Sequence, residues 1–185
     1  MGIRPICQTA REGGVEEEGL LVSSILHRQA MTANDALEHL GAHLDLANIR
    51  MKLEDTEEGK GFTPEQSALA EDEYRKFLAL HLMYPEADIV PCHLVDDIWH
   101  QHILDTIAYR EDCDAIFDRF LDHFPYFGMR GEDDAKALDD AYEDTLVKYE
   151  EAFGAPPEGT WRAPNAKSKC HKSSCRTQCK PQKCR

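Results

Sequence analysis

Val95-Asp96-Asp97-Ile98-Trp99-His100-Gln101-His102-Ile103-Leu104-Asp105-Thr106-Ile107-Ala108-Tyr109-Arg110-Glu111-Asp112-Cys113 is the stretch on which the reading of this chain turns. Its apolar residues recur at helical steps, so it reads as a helix over roughly 93–109 followed by a break near Glu111-Asp112. Residues two apart on a helix point about 200° from each other, so His100 and His102 cannot chelate one ion from a shared face. The stretch therefore divides into two sets. Asp96 and His100, four apart, occupy one face, and Ile98, His102, Thr106 and Tyr109 lie on another, with Cys113 four residues beyond Tyr109.

Working outward, the segments on either side are helical too. Thr32 caps a helix with Asp35 three residues on, and Ala36, Leu37, Leu40, Leu44, Ala47 and Met51 then recur at three- and four-residue steps, which predicts one amphipathic helix of about five turns. His39 and His43 sit four apart on it and read as flank residues beside the apolar stripe. Thr63-Pro64-Glu65-Gln66 supplies a cap, a first-turn proline and a capping-box partner for a third helix ending near Tyr84. Its predicted inner face is Leu69, Tyr74, Phe77, Leu78 and Leu80.

Beyond the central stretch, Asp112 is expected to cap a helix carrying Ile116, Phe117, Phe120, Leu121 and Phe124 inward, stopped by Pro125. A last helix is expected from about Glu132 to Phe153, with Gly154 as its stop. A short first helix is expected over Leu20–Gln29. No run of period-two alternation occurs, so the fold class is all-α: a compact bundle of about five or six helices with a disordered, Cys-rich, basic C-terminal tail. The expected organisation is a mobile lead-in over 1–19, a helical domain over 20–154 and a flexible tail over 155–185.

Charge divides the same way. Residues 1–165 hold 14 Lys+Arg against 35 Asp+Glu, whereas residues 166–185 hold seven basic residues and no acidic one. An acidic body repels nucleic acid and anionic membranes, so contact with a polyanion is expected through the basic tail alone. The N-terminus lacks the apolar run of a signal peptide, and no window approaches the length of a membrane span. A cytoplasmic protein is the expectation. Of seven cysteines, Cys7, Cys92 and Cys113 are scattered and four crowd the tail. In a reducing compartment such clustering points to metal or redox chemistry more than to disulfides.

Three readings of the central stretch remain open. In the first, Trp99, Ile98 and Ile103 are core, His102 and Tyr109 satisfy buried polar groups, and the carboxylates are solvated. In the second, a metal is held by Asp96 and His100, or by His102 and Cys113, with His123 as a further ligand. In the third, an enzyme uses Cys113 as a thiolate and His102 as its base.

Val95 to Leu104, then Tyr109-Arg110-Glu111-Asp112-Cys113, Phe117 and His123-Phe124-Pro125, together resemble the glycine-rich domain-containing protein-like family, a helical domain. The likeness covers about residues 65–130. It implies that Asp96, Trp99, His100, His102, Tyr109 and Cys113 act together, and it brings no established reaction. Two departures stand out: Asp118 occupies the place of a usual glycine after the Phe, and no glycine-rich region follows.

The tail places Cys170, Cys175, Cys179 and Cys184 at steps of five, four and five, with His171 beside the first. Paired Cys-x-x-Cys knuckles are absent, yet four thiols and an imidazole on one short segment suit zinc or copper. The leading expectation is a small cytosolic helical protein that binds a transition metal through this tail and through the His/Asp/Cys cluster of the central helix. The alternatives are an enzyme using His102/Cys113 or an Asp96/His100 metal site, a protein-interaction module with a protein partner, and a leader-plus-core precursor whose Cys tail is modified. The sequence leaves the oligomeric state open.

Overall fold

A computed structural model describes residues 31–161 of the 185. The described residues form six helices and no strand: α1 (Ala33–His43), α2 (Ala47–Glu54), α3 (Pro64–Met83), α4 (His93–Leu104), α5 (Thr106–Phe117) and α6 (Glu132–Phe153). The all-α class expected from the periodicity is what the chain adopts. The expected first helix over 20–29 and the Cys-rich tail lie outside the described residues.

α3 is the element the others are built on, packing against α1, α2, α4 and α6. Its start is written locally. The Thr63 hydroxyl accepts from the Gln66 amide while the Gln66 side chain accepts from the Thr63 amide, and Pro64 occupies the first turn. Its inward stripe is Ala70, Glu73, Tyr74, Phe77, Leu78 and Leu80, all buried, whereas Leu69, expected on this face, is exposed.

Three boundaries differ from expectation. The helix capped by Thr32 does not run on to Met51 but breaks after His43. Leu44 turns extended (φ −117°, ψ 116°), and Leu44 and Leu46 both bury their side chains while Asp45 accepts the Ala47 amide at 3.0 Å. A continuous helix would have turned these two leucines about 200° apart; the bend lets both enter the core.

The central helix likewise ends earlier, at Leu104. Asp105, rather than Asp112, caps the next helix by accepting the Ala108 amide at 3.4 Å. Asp112 is thereby left mid-helix and free to pair with His102.

The aromatic helix expected after Asp112 stops at Phe117, where Asp118 turns left-handed (φ 53°, ψ 21°). Phe120 and Phe124 are exposed rather than inward, although Leu121 is buried. Asp118 is the one non-glycine residue with positive φ among the described residues. This is the position where the family resemblance calls for glycine, the residue without a Cβ to clash in that conformation.

α6 runs over the expected span, with Gly154 at its C-terminus (φ 80°). The chain does not leave the body there. Residues 155–161 return to place Trp161 in the core against Tyr142 and Tyr149, with ring centroids 6.4 and 5.0 Å away. The Trp161 N–H donates to Glu73 Oε2 at 2.6 Å, the Tyr149 hydroxyl donates to the same oxygen at 2.8 Å, and Lys76 reaches Oε1 at 2.8 Å. A buried carboxylate with this many donors ties α3, α6 and the final strap together.

Candidate metal centre

α4 presents Asp96 and His100 one turn apart, and the loop after α5 brings His123 over them. The Nε2 atoms of His100 and His123 lie 3.1 Å apart. Asp96 Oδ1 is 3.4 Å from His123 Nε2, and Asp96 Oδ2 is 3.5 Å from His100 Nδ1. One donor atom from each residue lies within 4.8 Å of the others, and this is the one such group of three among the described residues. Tetrahedral coordination at Zn–N and Zn–O distances of about 2.0–2.2 Å places ligand atoms roughly 3.3–3.5 Å apart; His100 meets His123 through Nε2 and Asp96 through Nδ1, so a single ion would take one of these nitrogens, and the three donors would close on it from within 4.8 Å of one another.

His123 is oriented by packing as well as by charge. Its ring stands edge-on to Trp99 with centroids 4.6 Å apart, and Trp99 in turn lies 5.0 Å from Phe77 of α3. The indole N–H donates to the Tyr109 hydroxyl at 2.9 Å, which donates to the Leu121 carbonyl at 2.6 Å. That chain pins the loop two residues before His123.

The electrostatics favour ligand-ready forms. Burial pushes the Asp96 carboxyl up, but the His123 hydrogen bond and the neighbouring His100, His123 and His93 rings outweigh it and hold Asp96 below its ordinary value. Burial lowers His100, with His123 adding to the effect against the opposing pull of Asp96. A carboxylate and a neutral imidazole are what a divalent ion needs.

His102 has a different task. Fully buried, it meets the Tyr74 hydroxyl through Nδ1 at 3.0 Å and Asp112 Oδ2 through Nε2 at 2.9 Å. Burial lowers the His102 imidazole despite Asp112, and burial raises the Asp112 carboxyl despite His102. Both ring nitrogens are thus engaged. Cys113 is a buried free thiol, pushed up by burial and held beside Tyr109 and Leu121. The two-face division read from helical geometry is therefore present in space. The Asp96/His100 face gains His123, and the His102 face is an internal hydrogen-bonded set.

The rings of His39 and His43 lie tilted against each other with centroids 4.5 Å apart; His39 meets the Ile116 carbonyl at 3.2 Å and His43 the His39 carbonyl at 2.8 Å. Cys170, His171, Cys175, Cys179 and Cys184 lie outside the described residues. Sequence reasoning missed Tyr74 as the partner of His102, and it missed Glu73. The signal for Glu73 was present, since it stands three residues after Ala70 and four before Phe77 on the inward stripe of α3.

Residues 46–143 match the family described as UCP032817-like. Two curated relatives from Arabidopsis thaliana, glycine-rich domain-containing protein 1 and glycine-rich domain-containing protein 2, are 34% and 33% identical over 85 residues, covering 44% of this chain. The matched region spans only 10% of the length of either relative. No solved structure matches the chain. None of the described helices is long and apolar enough to cross a membrane.

Proposed function

The chain belongs to the UCP032817-like family, and from that premise we propose that it is a small helical metal-binding protein whose body holds one divalent transition ion between Asp96, His100 and His123. One observation carries this reading: three donor atoms, from two separate segments, lie within 4.8 Å of one another. Two imidazoles and a carboxylate suit a borderline ion, so Zn²⁺ is the first candidate and Cu²⁺ the second. Lewis-acid chemistry is what such an ion supplies when bound; the protein's part is to hold the two rings and Asp96 in place through Trp99, Tyr109 and the Leu121 carbonyl.

The thiols of Cys170, Cys175, Cys179 and Cys184, with His171, form a second, softer set of donors in the same chain. Zinc or Cu(I) fits them, and a reducing cytoplasm is the compartment that keeps them as thiols. Binding is favoured over thiolate catalysis because His102, the imidazole a nucleophilic Cys113 would need, is engaged at both nitrogens.

The test is metal analysis of full-length protein purified without an affinity tag, followed by Zn²⁺ titration of the wild type and of H100N and H123N under reducing conditions. The expected result is loss of one bound equivalent in either variant. Less than about a tenth of an equivalent of any transition metal as purified, with no uptake of Zn²⁺ or Cu(I), overturns the proposal.

A further inference from the structure

The segment joining α5 to α6 shows apolar side chains to solvent although its backbone is fixed at several points. Leu121 is buried, and its carbonyl accepts the Tyr109 hydroxyl at 2.6 Å. Gly128 (φ 82°) lies so close to α6 that a Cβ there would come within 2.5 Å of the Leu138 side chain. The Met129 amide donates to the Tyr126 carbonyl at 3.1 Å, and Arg130 pairs with Asp134 at 2.6 Å. Between these anchors Phe124, Tyr126 and Met129 remain 53%, 60% and 75% exposed. Of ten large apolar side chains exposed among the described residues, these three fall within six consecutive positions, so the exposure is concentrated rather than scattered. The Phe124 and Tyr126 rings meet edge-on with centroids 5.7 Å apart, which makes them one surface.

We propose that this surface docks a basic amphipathic segment of another protein, whose apolar residues cover Tyr126 and Met129 and whose arginines or lysines meet the carboxylates around them.

Charge selects that occupant. Residues 118–134 hold five acidic residues against two basic ones, and Arg130, one of the two, is already paired with Asp134. Asp118 and Asp122 precede the aromatic turn and Glu132 and Asp133 follow it, all four exposed. A second copy of the chain, meeting this one through the same face, would set like carboxylates against each other. Anionic membranes and nucleic acid are repelled for the same reason. A segment that is apolar on one side and cationic at its edges satisfies both parts of the surface.

The chain contains a small version of this contact. The Arg130 guanidinium sits 4.9 Å over the Phe124 ring while its Nη2 meets Asp134, so one cation is held between an aromatic face and a carboxylate. Tyr126 and Met129, with Glu132 and Asp133 following, offer a partner the same pairing of apolar surface with negative charge. The docking face adjoins His123 in sequence but uses none of the three candidate metal ligands, so it stands independently of whether an ion is bound.

The probe is a fluorescein-labelled synthetic amphipathic helix with leucine and tryptophan on one face and arginine on the other, titrated with full-length reduced protein and followed by anisotropy. Saturable binding is expected, weakened roughly fivefold between about 50 and 300 mM salt. Y126S/M129S should weaken it at least about tenfold with an unchanged urea midpoint, since both side chains are exposed. E132Q/D133N should flatten the salt dependence, and the same peptide with glutamate in place of arginine should not bind. Equal binding to Y126S/M129S, equal binding of the glutamate peptide, or no binding of the arginine peptide overturns the proposal. Self-association in sedimentation that Y126S/M129S abolishes overturns it in favour of a second copy, and capture by anionic vesicles that the same variant abolishes overturns it in favour of lipid. A zero-length crosslink within one chain, joining a lysine of residues 166–185 to Glu132 or Asp133, overturns it in favour of the chain's own basic end.

Discussion

Trp161 closes the fold by donating its indole N–H, at 2.6 Å, to the carboxylate of Glu73, a residue with no exposed surface 88 positions earlier in the chain. Glu73 would be an isolated buried charge without Trp161, Tyr149 and Lys76 around it, so the strap over 155–161 satisfies the core as well as covering it. Trp161→Ala removes both the packing and a donor, and is expected to lower unfolding free energy by about 3–5 kcal/mol. Trp161→Phe keeps a ring but loses the N–H and should cost about 2 kcal/mol. Urea midpoints measured side by side check the ranking; a neutral Trp161→Ala would show that the strap contributes nothing.

His81, at the end of α3, is pushed down to about 3, mainly by burial, with the Arg119 charge adding to it. Its Nε2 has no hydrogen-bond partner, and its ring stands edge-on to Phe77 at 4.7 Å. Because the folded-state value is depressed, the unfolded chain binds this proton first. Between about pH 6.5 and pH 3 stability therefore rises with pH and is lost on acidification, by up to about 4 kcal/mol. Wild type should lose about 3 kcal/mol more stability than His81→Leu between pH 7 and pH 4, and equal losses in chemical denaturation would refute the assignment.

Asp118 holds a left-handed conformation that costs any residue with a Cβ. Asp118→Gly relieves it and should stabilise the fold by roughly 0.5–1 kcal/mol after the extra entropy of glycine in the unfolded chain is counted. Asp118→Val, β-branched at the same angles, should destabilise by at least as much. A thermal melt in which both variants shift in the same direction would contradict this account of the turn.

Cys92 and Cys113 are buried, with the Cys92 thiol pushed up to about 11 and Cys113 raised as well, each chiefly by burial. Two units at Cys92 leave about 100-fold less thiolate at neutral pH than in an ordinary thiol. Both should react slowly with a thiol probe in the folded chain and rapidly in urea, as followed by peptide mass mapping. Fast labelling of Cys113 alone in the folded state would revive the nucleophile reading.

Local chemistry in the sequence determined which segments are helical. Thr32 with Asp35, Thr63 with Pro64 and Gln66, and Gly154 act within one turn of the backbone they cap, and the structure uses each of them. Helical phase also separated Asp96 and His100 from His102, since 3.6 residues per turn is a property of the chain itself. Tertiary structure decided what each face meets. The break at Leu44 lets Leu44 and Leu46 bury together, and the break at Asp105 sets Asp112 against His102 ten residues earlier, both outcomes of packing that periodicity cannot weigh. Tyr74 became the second partner of His102, and Trp161 was recruited from a Pro-bounded segment with no periodicity, because a buried imidazole and a buried carboxylate must be hydrogen-bonded from whichever segment packs beside them. His123 joined Asp96 and His100 for the same kind of reason: the Trp99–Tyr109–Leu121 hydrogen bonds fix where its loop crosses α4, and that path is set by packing between helices rather than by the residues next to His123.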